Sequence, residues 1–76
     1  MKGGWQDRIE SDPLILHGKP CFKDTRIPVG LILGYLAASK TAQQILEEFP
    51  DLTLADISAA LEYARDLADF EAVATP

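Results

Sequence analysis

Few residues of this chain could carry chemistry. It has one histidine, His17, and one cysteine, Cys21, four positions apart. Such a pair could begin a metal site or form a thiol beside its base. Zinc, however, takes four protein ligands, or three and a water, and no second histidine or cysteine exists to complete the set. No metal site is therefore expected. A Cys–His catalytic pair would also need an orienting third group and a cleft, for which a 76-residue chain has little room. Cys21 reads instead as a small buried hydrophobe, and His17 as a half-exposed strand residue. There is no glycine-rich phosphate loop and no nucleophile elbow. The expectation is a protein without catalytic residues, cofactor or small-molecule substrate, and hence not an enzyme.

Charge is the second resource, and it is unevenly placed. Residues 1–40 hold six basic and four acidic side chains, a net +2, whereas residues 41–76 hold Arg65 against eight acids, a net −7. The densest cationic feature is Lys19, Lys23 and Arg26, which with Lys40 form the candidate DNA or phosphate contacts. A β-ribbon can enter a major groove and an arm can track phosphates. Against this, the pI is about 4.5, where a basic domain and a basic recognition helix would be the nucleic-acid signature. The acidic half repels phosphate and attracts basic partners. Within it, Glu62, Arg65, Asp66 and Asp69 are the candidate partner-binding residues. The plainer reading is a solvated helix surface.

The elements that must position these residues divide at Pro28. Before it, Gly and Pro interrupt the chain often. Arg8–Glu10, Leu14–His17, Cys21–Lys23 and Thr25–Ile27 read as short strands, with turn signals at Ser11-Asp12-Pro13 and Gly18-Lys19-Pro20 and a turn or bulge at Asp24. Strands so short must pack on helices or pair with another chain. After Pro28, helical spacing dominates. Pro28 suits the first helical position, and Val29, Ile32, Leu33 and Leu36 make one buried stripe. Gly30 and Gly34 either permit close approach of a neighbouring segment or are tolerated weak points. Thr41 and Gln44 form a capping box for a second helix, whose inward face is Ala42, Ile45, Leu46 and Phe49 and whose end is set by Pro50. Thr53 caps a third helix, with Leu52 stapled on Ile57 and Asp56 near the positive dipole end. Its predicted core stripe is Ile57, Ala60, Leu61, Ala64 and Ala68, with Arg65 and Asp69 as a surface pair four residues apart. The helices span roughly ten, eight and fifteen residues by this periodicity.

The result is a mainly α domain: a three-helix core of helix-turn-helix, homeodomain-like type with a short N-terminal β-rich arm. Residues 1–7 read as a flexible leader, 8–27 as the arm and 28–70 as the three-helix core of one domain, and 71–76 as a frayed tail. Trp5 is either disordered in that leader or docked on a second subunit. Tyr35 and Tyr63 read as core or interface residues. A lone cysteine cannot staple a small secreted domain. The first residues hold no apolar signal region, and the longest apolar stretch, Val29–Ala38, is far short of the about 20 residues a bilayer demands. A cytoplasmic location with no membrane contact is expected. The arm strands could pair across a two-fold axis and hide a sheet edge, so a homodimer is also expected.

Several segments in order resemble the domain-of-unknown-function 433 family. They are Asp12-Pro13, Gly18-Lys19-Pro20, Thr25-Arg26-Ile27-Pro28-Val29, Ile45-Leu46, Phe49-Pro50-Asp51-Leu52-Thr53, Ile57 and Ala59-Ala60-Leu61-Glu62-Tyr63-Ala64. The likeness runs from about Arg8 to Leu67. It implies a bacterial or archaeal protein of homeodomain-like fold without enzyme activity. It further implies the antitoxin half of a type II toxin–antitoxin pair beside a PIN-like nuclease toxin. Of site residues it carries over only Thr25-Arg26-Ile27-Pro28, the arm-to-helix junction. The chain departs from the family pattern at Asp24 and at Ser39-Lys40, where the family usually has glycine. Asp tolerates φ > 0 better than most residues, but a phosphate approaching that turn would meet a negative charge. Three functions stay open: an antitoxin-like partner protein that binds a toxin and represses its own operon, a stand-alone homodimeric DNA-binding regulator, and a homo-oligomeric scaffold without nucleic acid.

Overall fold

The computed structural model describes residues 4–74. Two strands, β1 (Ile9–Glu10) and β2 (Cys21–Phe22), pair antiparallel with Ile9 opposite Phe22 and Glu10 opposite Cys21. Three helices follow: α1 (Val29–Ala37), α2 (Ala42–Glu48) and α3 (Leu54–Ala74). The fold is thus mainly α, with three helices and a short N-terminal hairpin. No helix among the described residues is long and apolar enough to cross a membrane.

The arm contains fewer strands than its apolar runs suggested. Leu14–His17 is not a strand. The Asp12 carboxylate accepts the Leu14 N–H at 2.9 Å and its carbonyl accepts the Ile15 N–H at 2.8 Å, closing a turn at Pro13. Leu16 and His17 then take left-handed φ of 53° and 56°, and Gly18 follows at 82°. A left-handed run cannot continue a pleated strand, so His17 sits exposed on a 3-10 turn (Leu16–Gly18) and not on a sheet. Thr25–Ile27 likewise forms a tight junction. Thr25 Oγ1 donates to the Phe22 carbonyl at 2.8 Å and accepts the Ile27 N–H at 3.0 Å. Asp24 makes the turn at φ 64°, a conformation that Asp tolerates better than most residues.

Pro28 caps α1 instead of opening it, because its ψ of 141° is still extended. Val29 and Ile32 are buried, with Leu33 and Leu36 half-buried beside them. At the other end Ser39 N–H reaches the Leu36 carbonyl and Lys40 N–H the Tyr35 carbonyl, both at 3.0 Å. This is a Schellman closure with Ser39 at φ 71°, where glycine is the usual occupant. Among the described residues Gly30 and Gly34 have no close neighbour: a Cβ on either would meet no atom within 4 Å. The close neighbour considered for them is absent, and each still costs up to about 1 kcal/mol of helix propensity.

The predicted caps are present. Gln44 N–H donates to Thr41 Oγ1 at 3.1 Å and Thr41 N–H to Gln44 Oε1 at 2.8 Å. Thr53 and Asp56 make the same reciprocal pair at the start of α3, at 2.9 and 3.3 Å. Leu52 and Ile57, the staple residues, are both buried in one cluster with Ile9, Phe22, Val29, Ile32, Ile45, Ala59 and Ala60.

The phase of α3 differs from the expected stripe. Ile57 and Ala60 are buried as expected, but Leu61 is 51% exposed and Ala68 is exposed, while Ala59 is buried. The cause is a second cover. The leader forms a 3-10 turn (Trp5–Asp7) that packs on α3. The covered face is therefore centred between Ala60 and Tyr63, and Leu61 turns outward. Residues 5–7 are thus docked and not free, while residues 1–3 lie outside the described residues. The α3 backbone runs to Ala74, through most of the expected tail, and residues 75–76 lie outside the described residues.

Candidate functional site

Glu62, Arg65, Asp66 and Asp69 follow i, i+3, i+4, i+7 spacing on α3, so they share one side of the helix. Arg65, Asp66 and Asp69 are exposed and Glu62 is half-buried. The expected Arg65–Asp69 pair is replaced by one with the adjacent residue. Arg65 Nε and a terminal guanidinium nitrogen donate to Asp66 Oδ1 at 3.2 and 3.1 Å. The other carboxylate oxygen, Oδ2, accepts the Trp5 indole N–H at 2.7 Å. Asp66 is thereby held below the ordinary aspartate range, first by the indole hydrogen bond and then by Arg65. It stays ionised wherever a free aspartate would.

Trp5 belongs to this site although nothing in its sequence context marks it. Its ring meets Tyr63 edge-to-face, with centroids 4.8 Å apart and planes at 85°. The tryptophan therefore docks on its own chain. Asp66 and Arg65 are partly committed to each other and to Trp5. Glu62 and Asp69, one turn to either side, leave the surface negative.

The cations are spread more widely. Lys19, Lys23, Arg26 and Lys40 are all exposed. Lys23 lines an open cleft of about 550 Å³ where the arm meets the α2–α3 turn, beside Asp7, Asp24, Asp51 and Asp56. Arg26 lines an adjoining cleft of about 560 Å³ with Glu10 and Asp24. Asp24 and Thr25 border both clefts, so the structure sets Lys23 and Arg26 on either side of a turn that carries a carboxylate. Lys19 and Lys40 line neither cleft. Arg8, a cation not among the expected contacts, lines the first cleft and bonds Asp56 Oδ1 at 3.2 Å. Asp56 thus caps α3 and also ties the arm to it. No spacing rule could pair two residues 48 positions apart.

Cys21 is fully buried. Burial, and then Glu10 and Asp12, push its thiol pKa up, with Arg26 opposing weakly. A protonated, enclosed thiol is a poor nucleophile. His17 is exposed on its turn, so the two residues are not presented together at one surface. Among the described residues, no three His, Cys, Asp or Glu side chains group as a metal would require. Tyr35 donates its hydroxyl to Glu48 at 2.9 Å and stacks tilted on Phe49, which joins α1 to α2. That bond, followed by burial and the Glu48 charge, raises the Tyr35 pKa.

The family model described as "Protein of unknown function (DUF433)" matches residues 9–64. No curated protein and no solved structure matches the chain. The matched span takes in the hairpin, both arm turns, α1, α2 and the start of α3. It leaves out Trp5 and Asp66.

Proposed function

The chain belongs to the DUF433 family, and from that premise we propose that it is a non-enzymatic, antitoxin-like binding module whose α3 receives a basic, nuclease-like protein. The observation that carries this reading is the acidic side of α3, where Glu62, Asp66 and Asp69 are aligned in a chain of net charge −5. Opposite potentials steer association and suppress wrong partners. A nuclease surface is basic because it must hold phosphates. A row of carboxylates can occupy that surface and keep nucleic acid away. No bond is made or broken, and no cofactor is called for.

Contact with operator DNA is the weaker reading for the chain alone. Lys23 and Arg26 are available, but Asp24 lies between their clefts, and a phosphate there would meet like charge. Repression of its own operon is then a property of the complex, which adds the partner's cations.

Co-expression of the tagged chain with the product of the adjacent gene tests the proposal. The expected result is a complex that survives purification and falls apart with rising salt. A neighbour that is not toxin-like and does not co-purify would remove the reading. A salt-sensitive gel shift by the chain alone on its own promoter would favour the regulator instead.

A further inference from the structure

The Trp5–Asp7 turn holds one of the carboxylates that a basic partner would need. Asp66 belongs to the acidic side of α3, and both of its oxygens are occupied. Oδ1 accepts two Arg65 N–H groups at 3.2 and 3.1 Å, and Oδ2 accepts the Trp5 indole N–H at 2.7 Å. The strongest contact a basic protein can make with a carboxylate is the arginine fork, which takes both oxygens together. That fork and the Trp5 bond exclude each other at Asp66.

The turn is fixed at one end and lightly held at the other. Arg8 is the fixed end. Its carbonyl accepts the Lys23 N–H at 2.9 Å, and its side chain bonds Asp56 at 3.2 Å, where the Asp56 side chain is only 13% exposed. The next residue, Ile9, is buried and pairs with Phe22. Upstream of Arg8, none of the three turn residues is buried. The backbone bonds there, from Asp7 N–H to the Gly4 carbonyl and from Arg8 N–H to the Trp5 carbonyl, are internal to the turn. Its hold on α3 comes from Trp5, through the indole bond and the edge contact with Tyr63. A segment with so little buried surface opens at a fraction of the global unfolding free energy, and Ile9 onward can stay in place when it does.

We propose that Trp5 is a latch on the acidic side of α3, which an arginine-bearing partner opens by taking Asp66. The inference rests on the reading of that side as the surface for a basic protein, and it adds how access to the surface is controlled. The chemistry favours the exchange. A fork makes two parallel bonds with donor and acceptor both ionised, whereas the indole makes one bond in which only the carboxylate is charged. The partner therefore prefers the open turn and shifts the equilibrium towards it by that difference. Until then the closed form withholds Asp66, and the apparent affinity is lowered in proportion to the fraction of molecules that are open. The leader is thus an intramolecular competitor for the site.

Titration of the full chain with a hexa-arginine peptide at low salt tests this. Calorimetry reads the affinity, and the fluorescence of Trp5, the only tryptophan, reads the latch. Wild type should bind, and its emission should move to longer wavelength, towards that of the urea-unfolded chain, with the helical circular dichroism retained. Trp5→Phe keeps a ring against Tyr63 but donates nothing to Asp66, and it should bind about fivefold more tightly. Binding by wild type with no change in Trp5 emission would overturn the latch and leave the acidic surface standing. So would a folded Trp5→Phe that binds no more tightly than wild type. Should that variant fail to fold, the wild-type emission decides alone. If neither protein binds the peptide, the reading of the acidic surface falls and the latch falls with it.

Discussion

Ser39 shows how one side chain can carry a cost the rest of the chain absorbs. Its φ of 71° closes α1, and a left-handed non-glycine residue is strained by roughly 1–2 kcal/mol. Ser39→Gly should therefore stabilise the protein by about 1 kcal/mol in urea unfolding; a loss of stability would show that the serine makes a compensating contact. Trp5 works in the opposite direction. Trp5→Ala removes the edge contact with Tyr63 and the bond to Asp66, and should cost about 2 kcal/mol. Asp66 adds a pH dependence. Its folded pKa is depressed, so its contribution is present above the unfolded aspartate pKa and is lost as pH falls through the lower folded value. Trp5, the only tryptophan, reports on this directly. Its fluorescence should change on acidification with a midpoint below the ordinary aspartate range, and Asp66→Asn should abolish that step. A midpoint at or above the ordinary range would show that the bond does not favour the carboxylate.

Among the elements, the helix starts were the most legible features, because a cap is written in residues three apart. Thr41 with Gln44 forms the capping box as read, and Thr53 caps α3 as read, with Asp56 adding a reciprocal bond beyond the dipole role expected of it. Thr53→Ala should cost about 1 kcal/mol by thermal or urea unfolding, and a neutral result would mean that Asp56 alone holds the end of α3. The apolar stripe of α1 was equally readable, since Val29 and Ile32 follow helical spacing into one core. Leu14–His17 misled because apolar composition suggests a strand, whereas Asp12 and Gly18 force a turn at each end. Leu61 misled for another reason. Periodicity fixes the spacing of a stripe but not which neighbours cover it, and the Trp5–Asp7 turn shifts the covered side of α3. The ties that complete the candidate site, Trp5 to Asp66 and Arg8 to Asp56, join residues 61 and 48 positions apart. Local spacing carries no trace of them.

At the scale of the whole molecule, the chain is a small helical core with different chemistry on different sides. The outward side of α1 is uncharged, the side of α3 bearing Glu62, Asp66 and Asp69 is negative, and the arm mixes cations with carboxylates. The core sets the stability that all of this depends on. Ile32 is 0% exposed, and Ile32→Ala should cost about 3 kcal/mol, enough to unfold much of a domain this size at physiological temperature. Charge reversal on α3 should leave stability nearly unchanged, since exposed charges contribute little to folding, yet it should act strongly on association. Calorimetric titration of the adjacent gene's product with wild type and with the Glu62→Lys/Asp69→Lys variant therefore bears most directly on the function proposed. The wild type should bind with an affinity that weakens as salt rises, and the folded double variant should bind at least tenfold more weakly. Equal affinity of the two, or no binding by the wild type, would contradict a role for the acidic α3 surface in receiving a basic partner.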